Sequence, residues 1–155
     1  MAHIASIAFS PPTGEPRPDD RYHRVAATTA RLVVDLGLEG DRKSKGGRRQ
    51  INVMSAATLA QLAEEGFTTC PGAMGEQIVL EGIDVDALAE ATRIRLGESA
   101  VVEVTYPRTG CDRFQHIQGK HKKLVRGRLG VMVRVIAGGR IAVGDRAAIE
   151  YAELP

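Results

Sequence analysis

The stretch VMVRVIAGGRIAVGDRAAIEY, residues 131–151, sets the character of the chain. Residues 131–136, 140–143 and 147–151 are short runs rich in Val, Ile and Ala. Gly138-Gly139 and Gly144-Asp145 separate them. β-branched residues suit a pleated, half-buried surface, and a glycine doublet between apolar runs predicts a tight hairpin. Three strands joined by tight turns are therefore expected here.

Upstream the pattern repeats. Residues 3–9, 22–27, 31–35, 50–54, 77–81, 93–96 and 100–106 are short β-like runs bounded by glycine, proline or polar turns. Pro11, Pro12, Pro16 and Pro18 with Gly14 make 10–20 an extended loop, because proline lacks the amide donor of regular structure. One clear helix is expected over 56–65: Ser55 caps it, Leu59, Leu62 and Ala63 share a face, and Gly66 stops it. A helical turn is expected at 84–88, and a polar, basic helical stretch from 113 to 126. Many short strands with frequent glycine turns predict a mainly β protein with minor α, a closed or nearly closed β-barrel carrying one or two decorating helices.

With 155 residues, 43% hydrophobic and 26% charged, the sequence has the size of one domain, 1–155, with a substantial core. A net charge of +2 creates no global field for a polyanion. Aromatics at 4%, with no Trp, are too few for a base-stacking surface, so nucleic acid is not an expected partner. Cys70 and Cys111 are not in a C-x-x-C arrangement and cannot build a zinc site alone. The N-terminus has no cationic start and its short apolar run stops at Pro11-Pro12, which predicts neither signal peptide nor membrane span. A cytoplasmic location is the resulting expectation, in keeping with the low cysteine count. No P-loop, dinucleotide fingerprint or nucleophile elbow is present, and no lysine is marked for a Schiff base, so pyridoxal phosphate is not indicated.

Cys111 is the residue best placed for chemistry. A thiolate is the useful form, as a soft metal ligand or as a sulfur carrier. Arg108 and Arg113 flank it and a helix is expected to begin at Asp112, which favour the thiolate; the Asp112 charge opposes them. A cysteine that merely packs is the competing reading, and Cys70 is read that way or as a surface thiol. Arg42, Lys43, Lys45, Arg48 and Arg49 with Gly46-Gly47 form a basic loop whose arginine forks and backbone amides suit phosphate; a solvated surface loop is the alternative. Glu76 and Asp41 are acids in glycine turns, able to bond a cofactor amide or to cap their own turns. Lys120 to Lys123 with Arg126 and Arg128 reads as a solvated face, and His116 and His121 are poorly spaced for joint ligation.

Four segments in order resemble the MOSC family, named for the C-terminal domain of molybdenum cofactor sulfurase. They are Gly37-Leu38-Glu39-Gly40-Asp41-Arg42, followed by Arg49-Gln50-Ile51; Pro71-Gly72-Ala73-Met74-Gly75-Glu76, leading into Ile78-Val79-Leu80-Glu81-Gly82-Ile83; Arg108-Thr109-Gly110-Cys111; and Ala137 through Asp145. The resemblance implies a mixed barrel of the pyruvate-kinase type and binding of a molybdopterin-type cofactor, or sulfur transfer, through the cysteine. It implies as cofactor-binding candidates Arg42, Lys43, Arg48, Arg49, Glu76 and Arg108, with Cys111 as catalytic residue and metal ligand. Some members reduce N-hydroxylated compounds, which implies a small-molecule substrate and a separate electron donor, or a sulfur-donor protein. The chain differs from the usual pattern at Lys43, Gln77 and Gly110. A non-catalytic cofactor carrier or partner-binding module with a degenerate site is the alternative that these differences favour.

Overall fold

A computed structural model describes residues 1–42 and 44–151. Strands β1 (His3–Phe9), β2 (Val25–Ala27), β5 (Ile51–Ser55), β6 (Ile78–Glu81), β7 (Arg93–Leu96), β8 (Ala100–Pro107), β9 (Val131–Ala137) and β11 (Ala147–Glu150) form one sheet in the order β11-β7-β8-β9-β5-β6-β1-β2. Strands β3 (Thr29–Val33), β4 (Gly37–Leu38) and β10 (Gly139–Ala142) form a second sheet in the order β10-β3-β4. Among the described strands only β5 and β6 run parallel, and the crossover that a parallel pair requires is supplied by helix α1 (Ala56–Glu64). The second helix, α2 (Asp112–Gln118), follows β8.

β1, next to one end of the large sheet, meets β11 and the turn before it at a few backbone bonds. The Ile4 amide donates to the Asp145 carbonyl at 2.9 Å, that of Gly144 to Ile4 at 2.8 Å and that of Ala147 to Ala2 at 3.0 Å. An isolated bridge pairs His3 with Arg146. No continuous ladder joins β1 to β11 among the described residues. The mainly β class with two helices agrees with the sequence; the closed barrel is not established by this pairing.

Side-chain alternation explains where the core and the site fall. In β5 every residue is buried, because both faces are covered. Ile51 and Val53 join a cluster with Ile4, Ile78, Val102 and Val133. Met54 points the other way, into a cluster with Leu62, Met74, Phe114 and Val125 beneath the helices. Asn52 is the polar residue of that second face.

Three local expectations are corrected. Ser55 precedes α1, but its hydroxyl caps nothing. It donates to the Ile83 carbonyl at 2.8 Å and accepts from the Val85 amide at 2.7 Å, tying the helix start to the loop after β6. The Gly138-Gly139 doublet does not make a hairpin: β10 pairs with β3, not with β9. A Cβ on Gly138 would lie 2.9 Å from the Leu32 carbonyl oxygen, so glycine here permits a sharp passage between sheets rather than a turn. The basic helix is shorter than expected: Gly119, left-handed at φ 67°, ends α2, and a separate 3-10 turn follows at Lys122–Val125.

Gly130, at φ 67°, lies against the β5 backbone, where an added Cβ would be 3.0 Å from the Met54 Cα and closer still to the Val53 carbonyl. Both conformation and contact oppose a side chain. Gly130→Ala is expected to cost about 2–3 kcal/mol in a denaturant melt. A loss below half of that would show that the turn relaxes freely.

Candidate functional site

The loop before β2, the start of β5, the loop before β6 and the segment between β8 and α2 converge on a cavity of about 550 Å³. Its cations are Arg17, Arg24, Lys45, Arg49, Arg108 and Arg113; among the described residues no carboxylate lines it. Asn52, Gln77, Thr109 and Tyr22 add polar atoms, and Met132 an apolar patch. The size falls in the roughly 300–1,000 Å³ range of small-molecule sites.

Cys111 stands at the wall, exposed and free, in extended conformation at φ −128° and ψ 175° immediately before α2. Asp112, next in the chain, has a cationic partner of its own. Its carboxylate is engaged by Lys122 at 2.7 Å, whose hydrogen bond and charge hold it below the usual carboxylate range. Cys70 is likewise exposed and free.

Arg108 organises the floor. Its Nη1 donates to Asn52 Oδ1 at 2.9 Å and its Nη2 to the Tyr22 hydroxyl at 3.4 Å. The guanidinium lies 5.9 Å from the ring centres of both Tyr22 and Phe114. Burial pulls its pKa down, while Tyr22, Glu76 and Cys111 act in the opposite direction. Burial likewise raises the Tyr22 phenol, against the lowering effect of Arg108. Asn52 is held by its own bonds: Nδ2 donates to the Leu129 and Val131 carbonyls, both at 3.1 Å. Gln77 Oε1 accepts from the Asn52 amide at 2.8 Å, and Gln77 Nε2 donates to Asp41 Oδ2 at 3.4 Å. The floor is thus a connected polar layer on the second face of β5, of the kind that fixes side-chain direction.

The structure brings Cys111, Arg49 and Arg108 together. Arg42 lines an adjoining, smaller cavity instead. Arg48 turns away: its Nη2 donates to the Thr105 carbonyl at 3.1 Å, its guanidinium lies 5.3 Å from the Tyr106 ring centre, and Glu90 is 3.4 Å off. Glu76 is buried and lines neither cavity. Its carboxylate accepts from the Gly72 amide at 2.9 Å and the Met74 amide at 3.1 Å. Lys43 lies outside the described residues. The Lys122–Val125 turn keeps clear of the pocket, and no group of His, Cys, Asp or Glu able to hold a metal ion by itself occurs among the described residues.

Sequence reading missed Arg17, Tyr22 and Arg24, because 10–20 reads as a proline loop and 22–27 as a plain β-like run, neither carrying a chemical motif. Arg113 pins that loop by donating to the Pro18 and Arg21 carbonyls at 3.1 and 3.3 Å and by lying 5.2 Å from the Tyr22 ring centre. Asn52 left one signal, a polar residue between Ile51 and Val53 in a β-like run.

A family model described as "MOSC domain" matches residues 40–148. No curated protein matches the sequence. Among solved structures, YiiM from Geobacillus stearothermophilus is similar at TM-score 0.76 and 20% identity, covering 97% of this chain and 76% of that one. YiiM from Escherichia coli is similar at TM-score 0.71 and 19% identity, covering 99% and 71%. The YuaD protein of Bacillus subtilis is similar at TM-score 0.75 and 16% identity, covering 95% and 94%. At these identities the likeness to solved structures concerns the fold. No helix among the described residues is long and apolar enough to cross a membrane.

Proposed function

That the chain belongs to the MOSC domain family is the premise from which we propose its function: Cys111 is the protein ligand to the molybdenum of a molybdopterin-type cofactor, in an enzyme that reduces an oxidised small molecule such as an N-hydroxylated one. The observation that carries this reading is an exposed cysteine on the wall of a 550 Å³ cavity with six cations and no carboxylate in its described lining.

The donor set fits the cofactor. One soft thiolate cannot hold a metal ion alone, but it can complete a coordination sphere that the cofactor itself provides. When bound, the cofactor supplies redox chemistry at its metal. The remaining tasks fall to the chain. Arg49 and Lys45 hold the phosphate, for which an arginine fork and a point charge are suited. Arg108, fixed by Asn52, keeps positive charge near the sulfur. Asn52 and Gln77 keep this edge of the pocket rigid through bonds to β9 and to each other. Reduction of an N-hydroxyl group to the amine consumes two electrons and two protons and releases water; a separate protein supplies the electrons.

The test is to make the protein in cells able and unable to synthesise the cofactor and to measure molybdenum by elemental analysis. Near-stoichiometric metal from competent cells alone is expected. Equal trace metal from both rejects the enzyme reading and leaves a carrier or binding module. The exposure of Cys111 gives sulfur carriage the stronger claim of these two, read by mass spectrometry as one added sulfur on that residue.

A further inference from the structure

We propose that the cationic face formed by the Lys122–Val125 turn and the end of α2 is the docking surface for the separate electron donor, a protein whose own contact face is acidic. That the partner carries electrons rests on the reading of Cys111 as the molybdenum ligand; that it is acidic rests on the face itself.

Residues 113–130 hold six of the chain's 21 lysines and arginines and none of its 19 acids. The remaining residues are therefore net negative, and the small overall charge hides a concentrated positive patch. Two of the six cations are neutralised, Lys122 by Asp112 at 2.7 Å and Arg128 by Glu65. Arg113 is spent on the Pro18 and Arg21 carbonyls, and Lys120 lies 5.6 Å from the Phe67 ring centre. Lys123 and Arg126 are exposed and, among the described residues, pair with no carboxylate. Leu124, between them, is 54% exposed, whereas Val125 and Leu129 are buried in the second apolar cluster and anchor the turn. An apolar centre edged by charge has the anatomy of a protein contact. Beside it lies a depression of about 450 Å³ to which His116, Lys120 and His121 contribute.

The position of the face decides the partner. A Cβ on Gly110 would lie 3.0 Å from Lys122 Cβ and 3.4 Å from Val125 Cγ2, so the turn is seated on the residue before Cys111. The Lys122 amide donates to Gln115 Oε1 at 3.1 Å, which fixes the turn to α2. None of its residues lines the Cys111 cavity, so a protein docked there stands next to the sulfur and leaves the cavity lining untouched. Redox partners form small, short-lived interfaces guided by charge, and two unneutralised cations around one leucine match that scale. Nucleic acid suits the face less, because Phe114, the one aromatic of 113–130, is buried and offers no stacking surface.

The experiment follows the backbone amides of the isotope-labelled full chain, made in cells lacking the cofactor, as flavodoxin, an acidic carrier, is added. Cytochrome c, a basic carrier, is the control. Saturable shifts centred on residues 119–128 at low salt are expected with flavodoxin alone. Lys123→Glu combined with Arg126→Glu weakens binding about tenfold and flattens its salt dependence, with the thermal melt unchanged. Leu124→Ala weakens it about threefold. Arg140→Glu, at an exposed cation of β10, leaves it within about twofold. Shifts centred elsewhere, no shifts with flavodoxin, an equal response to cytochrome c, or tighter binding of a single-stranded oligonucleotide overturns the proposal. In protein loaded with cofactor, the double variant slows reoxidation of reduced flavodoxin about tenfold while keeping its molybdenum; an unchanged rate overturns the electron-donor assignment. If competent cells yield no metal, the Cys111 reading fails and takes that assignment with it, while mapped flavodoxin binding still upholds the acidic-partner face. With metal present and no shift at 119–128, the face fails and the Cys111 reading stands.

Discussion

Cys111→Ser is expected to strip molybdenum from protein made in competent cells, to the level found in incompetent ones, with the fold unchanged. The sulfur is exposed, makes no capping bond to α2 and belongs to neither apolar cluster. Its removal leaves no cavity and no unmet donor, so stability should move by less than about 0.5 kcal/mol. The change in coordination chemistry is far larger. A serine hydroxyl stays protonated where a thiol ionises, and it is a hard donor where the site offers one soft ligand. Elemental analysis reads the metal and a thermal melt reads the fold. Full metal in the serine variant would show that the cationic wall alone holds the cofactor and would remove Cys111 from its place as ligand.

The fold class was legible because its signals are local. Glycine turns between Val-rich runs and a helix with one apolar face mark elements within a few residues of themselves, and β1, β5, α1, β6, β7, β8 and β9 lie close to where sequence places them. Pairing is not local. Gly138-Gly139 looks like a hairpin because the conformational freedom of glycine is visible, but the Leu32 carbonyl that it must pass is more than a hundred positions away. The site divides along the same line. Cys111 and the arginines beside it stand in motifs, whereas Tyr22 and Arg24 reach the pocket through contacts distant in sequence, with Arg113, Arg108 and Gly75. Arg48 and Arg49 are neighbours in sequence with opposite fates: backbone direction sends one toward Thr105 and Tyr106 and the other into the cavity.

Glu76→Ala is expected to cost about 2–6 kcal/mol, because it strands the buried amides of Gly72 and Met74, each worth roughly 1–3 kcal/mol when left unmet. Their loop carries weight: Gly72, at φ 82°, packs against the Arg24 side chain, Gly75 accepts from Arg24, and Met74 sits in the second cluster. The Glu76→Gln variant separates the carboxylate's charge from its shape. Burial pushes the Glu76 carboxyl above its ordinary range, against the pull of the Gly72 and Met74 amides and of Arg108. The folded chain therefore holds that proton more tightly than the unfolded chain. The contribution of this group to stability is complete below the ordinary carboxylate range and is lost as pH rises through the folded value. Denaturation of both proteins between about pH 4 and pH 8 should thus show wild type losing stability relative to Glu76→Gln as pH rises. The opposite trend would mean that the amides and Arg108 outweigh burial and hold the carboxyl low. Because Glu76 lines neither cavity, the Gln variant should also keep its molybdenum; a folded Gln variant without metal would restore Glu76 to direct contact with the cofactor.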